Sequence, residues 1–352
     1  MFAFRWFLAK EDHTEEIEEI VADEPRLPLH ILAHDAALSV DNGMLEIDSE
    51  DECRRVRLDE ISLVALHGGS RITVPCLNML VQNSVPLILH SRNGYYRGQL
   101  LDLSASHGAV RRAQYAAAAD ERMVLALSKG LIEGKLLNTA RVAKRRLGAR
   151  SRIARALIKA SRSARKCRTL SSLRGVEGAA AAAWYGAWPE FLSDSDEIFV
   201  FSGRNRRPAQ DATNALLSYL YAVVAGTASA ASASAGFDPN VGFFHAERPG
   251  RPALALDLVE PLRPAVVDTA VIAAIRNREF SDASFVTQSD GSVRLSDEGR
   301  RRALDILERR LSTTFRYDGT EMTWRAAISH HAVLMAKALR EGSTSLPLLL
   351  PR

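Results

Sequence analysis

The chain is poor in the residues that build cysteine-based sites. It has three cysteines in 352 residues, widely separated and without a CxxC pair: Cys53, Cys76 and Cys167. Such a set supports neither a disulfide framework nor a cysteine zinc or iron–sulfur site, and it is typical of a reducing cytoplasm. The apolar first residues turn acidic at once without a convincing cleavage site, so we expect no signal peptide.

Signatures of nucleotide-hydrolysing enzymes and serine hydrolases are also missing. The sequence has no P-loop, no GxGxxG after a predicted strand and no GxSxG. Its hydrophobic fraction of 47% and charged fraction of 25% are those of an ordinary globular protein. This composition excludes a disordered or collagen-like chain, and the length predicts about two domains.

Charge is distributed unevenly, although the formal net charge is only +4. Residues 1–60 carry 17 acidic and 6 basic residues, so the rest of the chain is strongly basic. The run from Arg141 to Arg168 has 12 Arg or Lys residues and no acid. A charged run usually forms a solvated helix face, but the missing acids favour a contact with a nucleic-acid backbone.

The sequence predicts an α+β protein with a small β-sandwich followed by a larger all-α domain. Residues 1–28 are interpreted as an acidic extension or a first strand. Short β-prone segments fill residues 29–107, with turn signals at Asn42-Gly43 and Asn93-Gly94. Residues 108–352 read as helical, with predicted helices over 109–146, 149–168, 170–188, 214–236 and 321–340.

Three local features refine the helical domain. Asp290-Gly291 predicts a small hairpin within Phe285–Leu295, and Ser296 is predicted to cap the next helix. Ala215–Phe237 is 23 residues without a charge, which is long enough to span a bilayer. Its four serines and its Ala/Ser/Gly second half favour a buried pair of core helices over a transmembrane span.

The densest cluster of candidate chemical groups lies in GFFHAERPGRPALALDLVEPL. Asp257 and Glu260 are three residues apart, which places both carboxylates on one face of a helix. Together with His245 they suit a hard divalent cation, and nearby arginines suit a phosphodiester substrate. The alternative is a capping box with Asp257 at the N-cap and Glu260 at N3, beside a structural histidine.

Other candidates carry alternatives of the same kind. Glu177 is the only acid between Arg141 and Glu190. In a buried helix it would need a cation or a hydrogen-bond partner; the alternative is a glutamate in a first helical turn. The loop arginines Arg204, Arg206 and Arg207 suit phosphate contacts, or they form a solvated basic loop. His330 and His331 have no acid at ligand spacing and are interpreted as structural.

Several segments together resemble one known family. They are LVALHGGSRITVPCLNMLVQNSVPLILHSRNGYYRGQL, RRAQY, IEGKLLN, LRGVEG, GRNRRPAQDATNALLSYLY and GFDPNVGFFHAERPGRPALALDLVEPLRP. In this order and spacing they resemble the CRISPR-associated endonuclease/integrase subunit of the spacer-acquisition complex, in the form found in type I systems.

The resemblance implies a site. The family's metal ligands fall on Glu177, His245 and Glu260, and Asp257 falls on a second acidic position that supports activity. The implied cofactor is Mg²⁺ or Mn²⁺, and His245 is alternatively a proton shuttle. The DNA-binding candidates are Lys135, Arg204, Arg206, Arg207, Arg248 and Arg251.

The resemblance also implies a reaction and partners. The 3′-hydroxyl of a short DNA fragment, the spacer precursor, would attack a phosphodiester in the repeat of a CRISPR array. The chain would form a homodimer through its β domain and bind a small ferredoxin-like second acquisition subunit, in the cytoplasm and without a membrane. The alternatives are a standalone metal-dependent nuclease, a transposon-type integrase of the same fold, and a non-catalytic DNA-binding scaffold.

Overall fold

The structure is a computed structural model that describes residues 6–7, 26–50, 52–100, 108–148, 150–192, 196–205 and 208–350. Most of the predicted acidic extension therefore lies outside the described residues. Arg206 and Arg207 lie outside them as well. The chain divides into two compact units, Met1–Ala105 and Ser106–Arg352.

The amino-terminal unit contains two β-sheets and one helix. Its strands are β1 (Trp6–Phe7), β2 (Leu27–Ile31), β3 (Ala37–Asp41), β4 (Met44–Asp48), β5 (Cys53–Val56), β6 (Ile61–His67), β7 (Arg71–Ile72), β8 (Leu87–His90) and β9 (Tyr96–Leu100), and helix α1 (Val74–Gln82) follows β7. One sheet has the order β1-β2-β6-β8-β9, with β2, β6 and β8 parallel. The other has the order β5-β4-β3-β7.

One hydrophobic core joins both sheets and α1. It contains Ile31 from the first sheet, Leu38 and Ile47 from the second, and Leu80 from α1, all fully buried. Asn42 and Gly43 adopt φ of 48° and 77° between β3 and β4, so the predicted hairpin turn is confirmed. Helix α1 was not expected; it begins because the Thr73 side chain accepts a hydrogen bond from the Cys76 amide.

The carboxyl-terminal unit is helical, with two small hairpins. Its helices are α2 (Gly108–Ala119), α3 (Glu121–Leu147), α4 (Arg152–Lys166), α5 (Leu170–Gly186), α6 (Trp188–Phe191), α7 (Ala212–Ser234), α8 (Ala253–Val259), α9 (Thr269–Arg276), α10 (Asp297–Ser312) and α11 (Trp324–Arg340). Its strands are β10 (Phe285–Thr287), β11 (Val293–Leu295), β12 (Thr314–Tyr317) and β13 (Thr320–Thr323). The chain is therefore α+β, with strands near its amino-terminal end and a helical carboxyl-terminal part.

Side-chain caps start several helices of this unit. Ser296 caps α10 and the β10–β11 hairpin turns at Asp290-Gly291, so both predictions are confirmed. The helix expected over 109–146 is two helices, because the Asp120 carboxylate accepts the Arg122 amide and starts α3. The last helix begins at Trp324 rather than 321, because a β12–β13 hairpin that was not predicted occupies the preceding residues.

Helix α7 is a single core helix rather than the expected pair. Among the described residues it is the helix long and apolar enough to cross a membrane, but 72% of its apolar window is buried inside the protein. Its serines do not interrupt the helix: Ser232 Oγ donates to the Ser229 carbonyl, and Ser218 Oγ accepts a hydrogen bond from Arg204 Nη2. Interior packing therefore accounts for the uncharged run.

Candidate active site

Asp257 orients His245. The Asp257 carboxylate is fully buried inside α8, and its Oδ2 accepts the amides of Phe243 (2.6 Å) and Phe244 (3.0 Å). Its Oδ1 accepts the His245 amide (3.0 Å) and lies 2.7 Å from His245 Nδ1. Because a carboxylate can only accept, Nδ1 carries a proton, and in the neutral imidazole Nε2 then keeps its lone pair. The ring is thus prepared to donate that lone pair.

Gly242 allows the loop that carries His245 to lie close to α8. A Cβ atom at Gly242 would lie 2.8 Å from the Ala253 carbonyl carbon and 2.9 Å from Asp257 Oδ2. Real Cβ atoms do not come that close to such neighbours, so any side chain would push the loop off the helix. The loop amides reach the Asp257 carboxylate because this position has no side chain.

Glu260 lies at the carboxyl-terminal end of α8. Its side chain is only 2% exposed, its Oε1 accepts a hydrogen bond from Arg263 Nη1 (2.6 Å), and Oε1 is 3.6 Å from His245 Nε2. The capping-box interpretation is wrong, because α8 begins at Ala253 and places Asp257 inside the helix. The three-residue spacing instead brings both carboxylates to the two nitrogens of one imidazole.

Glu177 reaches the same cluster from another helix. It lies in the middle of α5, so the first-turn interpretation is wrong; α5 begins at Leu170, capped by Thr169. Lys135 on α3 supplies the cation that a carboxylate in this position needs. Its Nζ is 2.6 Å from Glu177 Oε1 and 2.7 Å from Glu260 Oε2.

Two groups of the cluster, Glu260 and Lys135, have pKa values that favour their charged forms. Burial raises the pKa of Glu260, but Arg263, Lys135 and His245 together lower it further, to well below its usual range. Burial lowers the pKa of Lys135, but Glu260 and Glu177 outweigh burial and raise it above its ordinary value. The Glu260 carboxylate and the Lys135 ammonium therefore stabilise each other in their charged forms.

Arg263 packs on a tyrosine ring that belongs to a buried polar network. The guanidinium carbon lies 3.9 Å from the centroid of the Tyr221 ring, and the Tyr221 hydroxyl donates to Asp268. Trp184 Nε1 donates to the other Asp268 oxygen at 2.8 Å. Asp268 ends a π-helical turn, Pro264–Asp268. Sequence reasoning missed Arg263 and Asp268; the available signals were a cation three residues after Glu260 and a lone acid within VVDTAV.

The DNA-binding candidates have different environments. Arg204 donates to the Asn205 carbonyl (2.7 Å), to Asn214 Oδ1 (2.6 Å) and to Ser218 Oγ (3.0 Å), so it fastens its loop to α7. Arg248 is exposed and Arg251 is half-buried, in the turn between His245 and α8. Lys135 points into the carboxylate cluster.

The family follows from a match over most of the chain. Residues 29–309 match the family described as CRISPR associated protein Cas1. The chain belongs to the Cas1 family. A CRISPR-associated exonuclease Cas4/endonuclease Cas1 fusion of Rhodospirillum rubrum is 36% identical over 338 residues, which cover 93% of this chain and 58% of the fusion. The chain thus spans little more than half the length of that Cas1-containing relative.

Solved structures share the fold of this Cas1-family chain. A casposase bound to integration product has a TM-score of 0.77 and 24% identity, over 90% of this chain and 91% of the casposase. A chain of a Cas6-RT-Cas1–Cas2 complex has a TM-score of 0.76 and 23% identity, over 96% of this chain and 37% of the other. At these identities the likeness establishes the fold alone.

The donor set fits the divalent ion that the Cas1 family implies. Glu177 and Glu260 offer carboxylate oxygens and His245 offers Nε2, a combination that suits Mg²⁺ or Mn²⁺. The Lys135 ammonium lies within 2.7 Å of an oxygen of each carboxylate, so Glu177 and Glu260 are held close to each other. In the described ranges no three His, Cys, Asp or Glu side chains are already arranged to hold a metal. Binding would therefore require these donors to converge further.

Acid is expected to destabilise the fold around this Cas1-family site through His331. His331 is buried on α11, and its Nδ1 lies 2.9 Å from the Leu258 carbonyl oxygen on α8. Burial lowers the pKa of His331 from its ordinary 6.5 to about 4. Its stabilising contribution is present above pH 6.5 and is lost as the pH falls towards 4, because the unfolded chain takes up the proton first. Between pH 7 and pH 5 we expect the free energy of unfolding to fall by about 2 kcal/mol from this residue.

Urea unfolding at pH 7 and pH 5 measures this contribution. His331→Gln should show a smaller decrease in the free energy of unfolding between pH 7 and pH 5 than the wild type. His330→Gln, one position earlier on α11, should show the same decrease as the wild type. Equal acid sensitivity in the two variants would show that another group is responsible.

Proposed function

We propose that this chain is a metal-dependent DNA endonuclease/integrase that inserts short DNA fragments into a CRISPR array. The observation that supports the proposal is the convergence of Glu177, His245 and Glu260, from three separate segments, in one charged cluster of a Cas1-family chain. The Rhodospirillum rubrum relative is named as an exonuclease Cas4/endonuclease Cas1 fusion, and the casposase structure contains an integration product.

Each residue of the cluster has a distinct part in the proposed reaction. Glu177, Glu260 and His245 Nε2 would hold the divalent ion, and Asp257 and Arg263 orient His245 and Glu260. When bound, the ion would polarise the phosphoryl group and lower the pKa of the attacking 3′-hydroxyl. One phosphodiester bond breaks as another forms, so strand transfer needs no ATP.

His245 has one ring nitrogen available for chemistry. Asp257 holds Nδ1, so Nε2 either donates its lone pair to the ion or accepts a proton, but it cannot do both at once. The closeness of Nε2 to Glu260, 3.6 Å, favours the ligand role. The shuttle role is the alternative for the same atom.

The exposed face of α4 is the proposed path for DNA. Its buried side is formed by Ala154, Leu157, Ser161 and Ala164. The opposite side carries cations three or four residues apart, which we name the basic stripe: Arg152, Arg155, Lys159, Arg162 and Lys166. This spacing keeps them on one side of the helix, where they can contact successive phosphates.

Replacing the five residues of the basic stripe with glutamine is expected to weaken DNA binding and to flatten its salt dependence. Each lost phosphate contact should reduce the slope of log affinity against log salt by about 0.9. Titrations of a labelled duplex over a range of KCl concentrations measure the slope.

A matched variant replaces five exposed cations elsewhere in the same unit: Arg302, Arg309, Arg316, Lys337 and Arg340. It removes the same charge, so it controls for net charge. An equal slope change in both variants would mean that the basic stripe has no special role.

We also propose the partners and setting that the family resemblance implies. The two sheets with their common core would form a sandwich that provides a homodimer contact. The small second acquisition subunit is proposed as a partner, consistent with a Cas1–Cas2 complex among structures of this fold. The buried α7 is consistent with a cytoplasmic chain that has no membrane span.

One assay separates this proposal from its alternatives. A labelled short duplex is incubated with supercoiled plasmid in Mg²⁺, Mn²⁺ or EDTA. Metal-dependent joining supports the integrase, and a requirement for a repeat sequence separates a CRISPR integrase from the transposon-type enzyme suggested by the casposase fold. Cleavage without joining would favour a standalone nuclease, and binding alone would favour a scaffold.

A further inference from the structure

Lys135 occupies an unusual position for a cation in a metal-dependent site. Its Nζ lies within 2.7 Å of one oxygen of Glu177 and one of Glu260, the two carboxylates proposed to hold the ion. The lysine side chain is 16% exposed, so little water reaches the ammonium. A buried ammonium between two carboxylates keeps them close together despite their mutual repulsion.

The backbone that carries Lys135 is fixed against the segment that carries Glu260. Asn138, one turn later on α3, donates its side-chain amide to the Pro261 carbonyl at 2.7 Å. A Cβ atom at Gly134 would lie 3.2 Å from Pro261 Cβ, so α3 and Pro261 are in close contact. The backbone positions of Lys135 and Glu260 therefore stay close together while α3 stays docked.

The net formal charge of the cluster is suited to one divalent ion. Glu177, Asp257 and Glu260 are three carboxylates, and Lys135 and Arg263 are two cations in contact with them. The remaining charge of −1 suits a single divalent ion together with phosphate oxygens. Sites for two ions place a pair of metals about 3.5–4 Å apart between shared carboxylates, and here the ammonium takes that shared position.

We propose that Lys135 takes the place of a second divalent ion. It holds Glu177 against Glu260 in the metal-free protein, and it then remains beside a single bound ion as a fixed positive charge. This inference rests on the proposed function, because Glu177 and Glu260 are assigned there as ligands. Lys135 acts through these carboxylates and is therefore a positioning residue.

Calorimetric titration of the full chain with Mn²⁺ tests the inference without measuring activity. The wild type is expected to bind one ion per chain. Lys135→Met should bind Mn²⁺ at least about tenfold more tightly, because a like charge next to the ion is removed. In EDTA the same variant should melt at a lower temperature than wild type, and Mn²⁺ should restore its stability.

Two variants control the comparison. Lys144→Met makes the same substitution at an exposed position of α3 and should titrate like wild type. Lys135→Arg keeps the charge, so its Mn²⁺ affinity should stay within about threefold of wild type. A Lys135→Met affinity equal to or weaker than that of wild type would overturn the inference.

The wild-type titration keeps the inference testable even if Lys135→Met does not fold. Two ions per wild-type chain would overturn the inference and leave the metal site of the proposed function intact. No Mn²⁺ binding by the wild type would overturn the ligand assignment of the proposed function, and the inference with it.

Discussion

Glu177→Ala is expected to reduce strand transfer by at least about a thousandfold, because a lost metal ligand removes several kcal/mol of transition-state stabilisation. The substitution also leaves the Lys135 ammonium with Glu260 as its remaining carboxylate in the cluster. DNA affinity should persist, because the basic stripe on α4 is unchanged. The measurement is joining of a labelled duplex to supercoiled plasmid, with a mobility shift for binding.

The matched control is Glu190→Ala. Glu190 is the next acid along the chain, and it is exposed on α6. Its loss should leave joining close to the wild-type rate. Comparable joining by the two variants would show that Glu177 is not a ligand.

His245→Ala is the second large loss that we expect. Without Nε2 the ion would keep two carboxylate ligands, so half-maximal joining should need at least about tenfold more Mn²⁺. The Asp257 carboxylate would also lose the imidazole hydrogen bond and keep the backbone amides. The measurement is the joining rate as a function of Mn²⁺ concentration.

The same titration separates the two roles of the imidazole. A ligand role shifts the Mn²⁺ midpoint, whereas a proton-shuttle role lowers the maximal rate and leaves the midpoint unchanged. A midpoint unchanged from that of wild type would therefore contradict the ligand assignment. His330→Ala, on α11, serves as the control.

Features that depend on neighbouring residues could be predicted from the sequence. The Asn42-Gly43 turn needs two residues that tolerate positive φ, and both are adjacent in the chain. The Ser296 cap needs a hydroxyl within reach of the Gly299 amide, which is three residues away. Such interactions form whatever the rest of the fold does.

Features that depend on distant residues could not be predicted in this way. The spacing of Asp257 and Glu260 satisfies a capping pattern, yet the Asp257 carboxylate accepts hydrogen bonds from the amides of a loop that precedes α8. Nothing local distinguishes these two uses. Likewise, the sequence gives no sign that Lys135 meets Glu177 and Glu260, because that contact depends on how α3, α5 and α8 pack.

The family resemblance brought four of these residues together before the structure did, but it did not supply their geometry. It grouped Glu177, His245, Asp257 and Glu260 as one site. It did not indicate that Asp257 lies behind the imidazole or that Lys135 lies between two carboxylates. Those relations decide which atom can bind an ion.

The site is assembled from helices far apart in the chain, and this has a consequence during synthesis. A ribosome adds roughly 5–20 residues per second, so Lys135 and Glu177 emerge seconds before Glu260. In that interval their ion pair can form, but the histidine and the last carboxylate do not yet exist. A nascent or prematurely terminated chain would therefore lack the complete cluster. Any DNA-cutting activity that depends on the cluster would appear only once most of the polypeptide has been made.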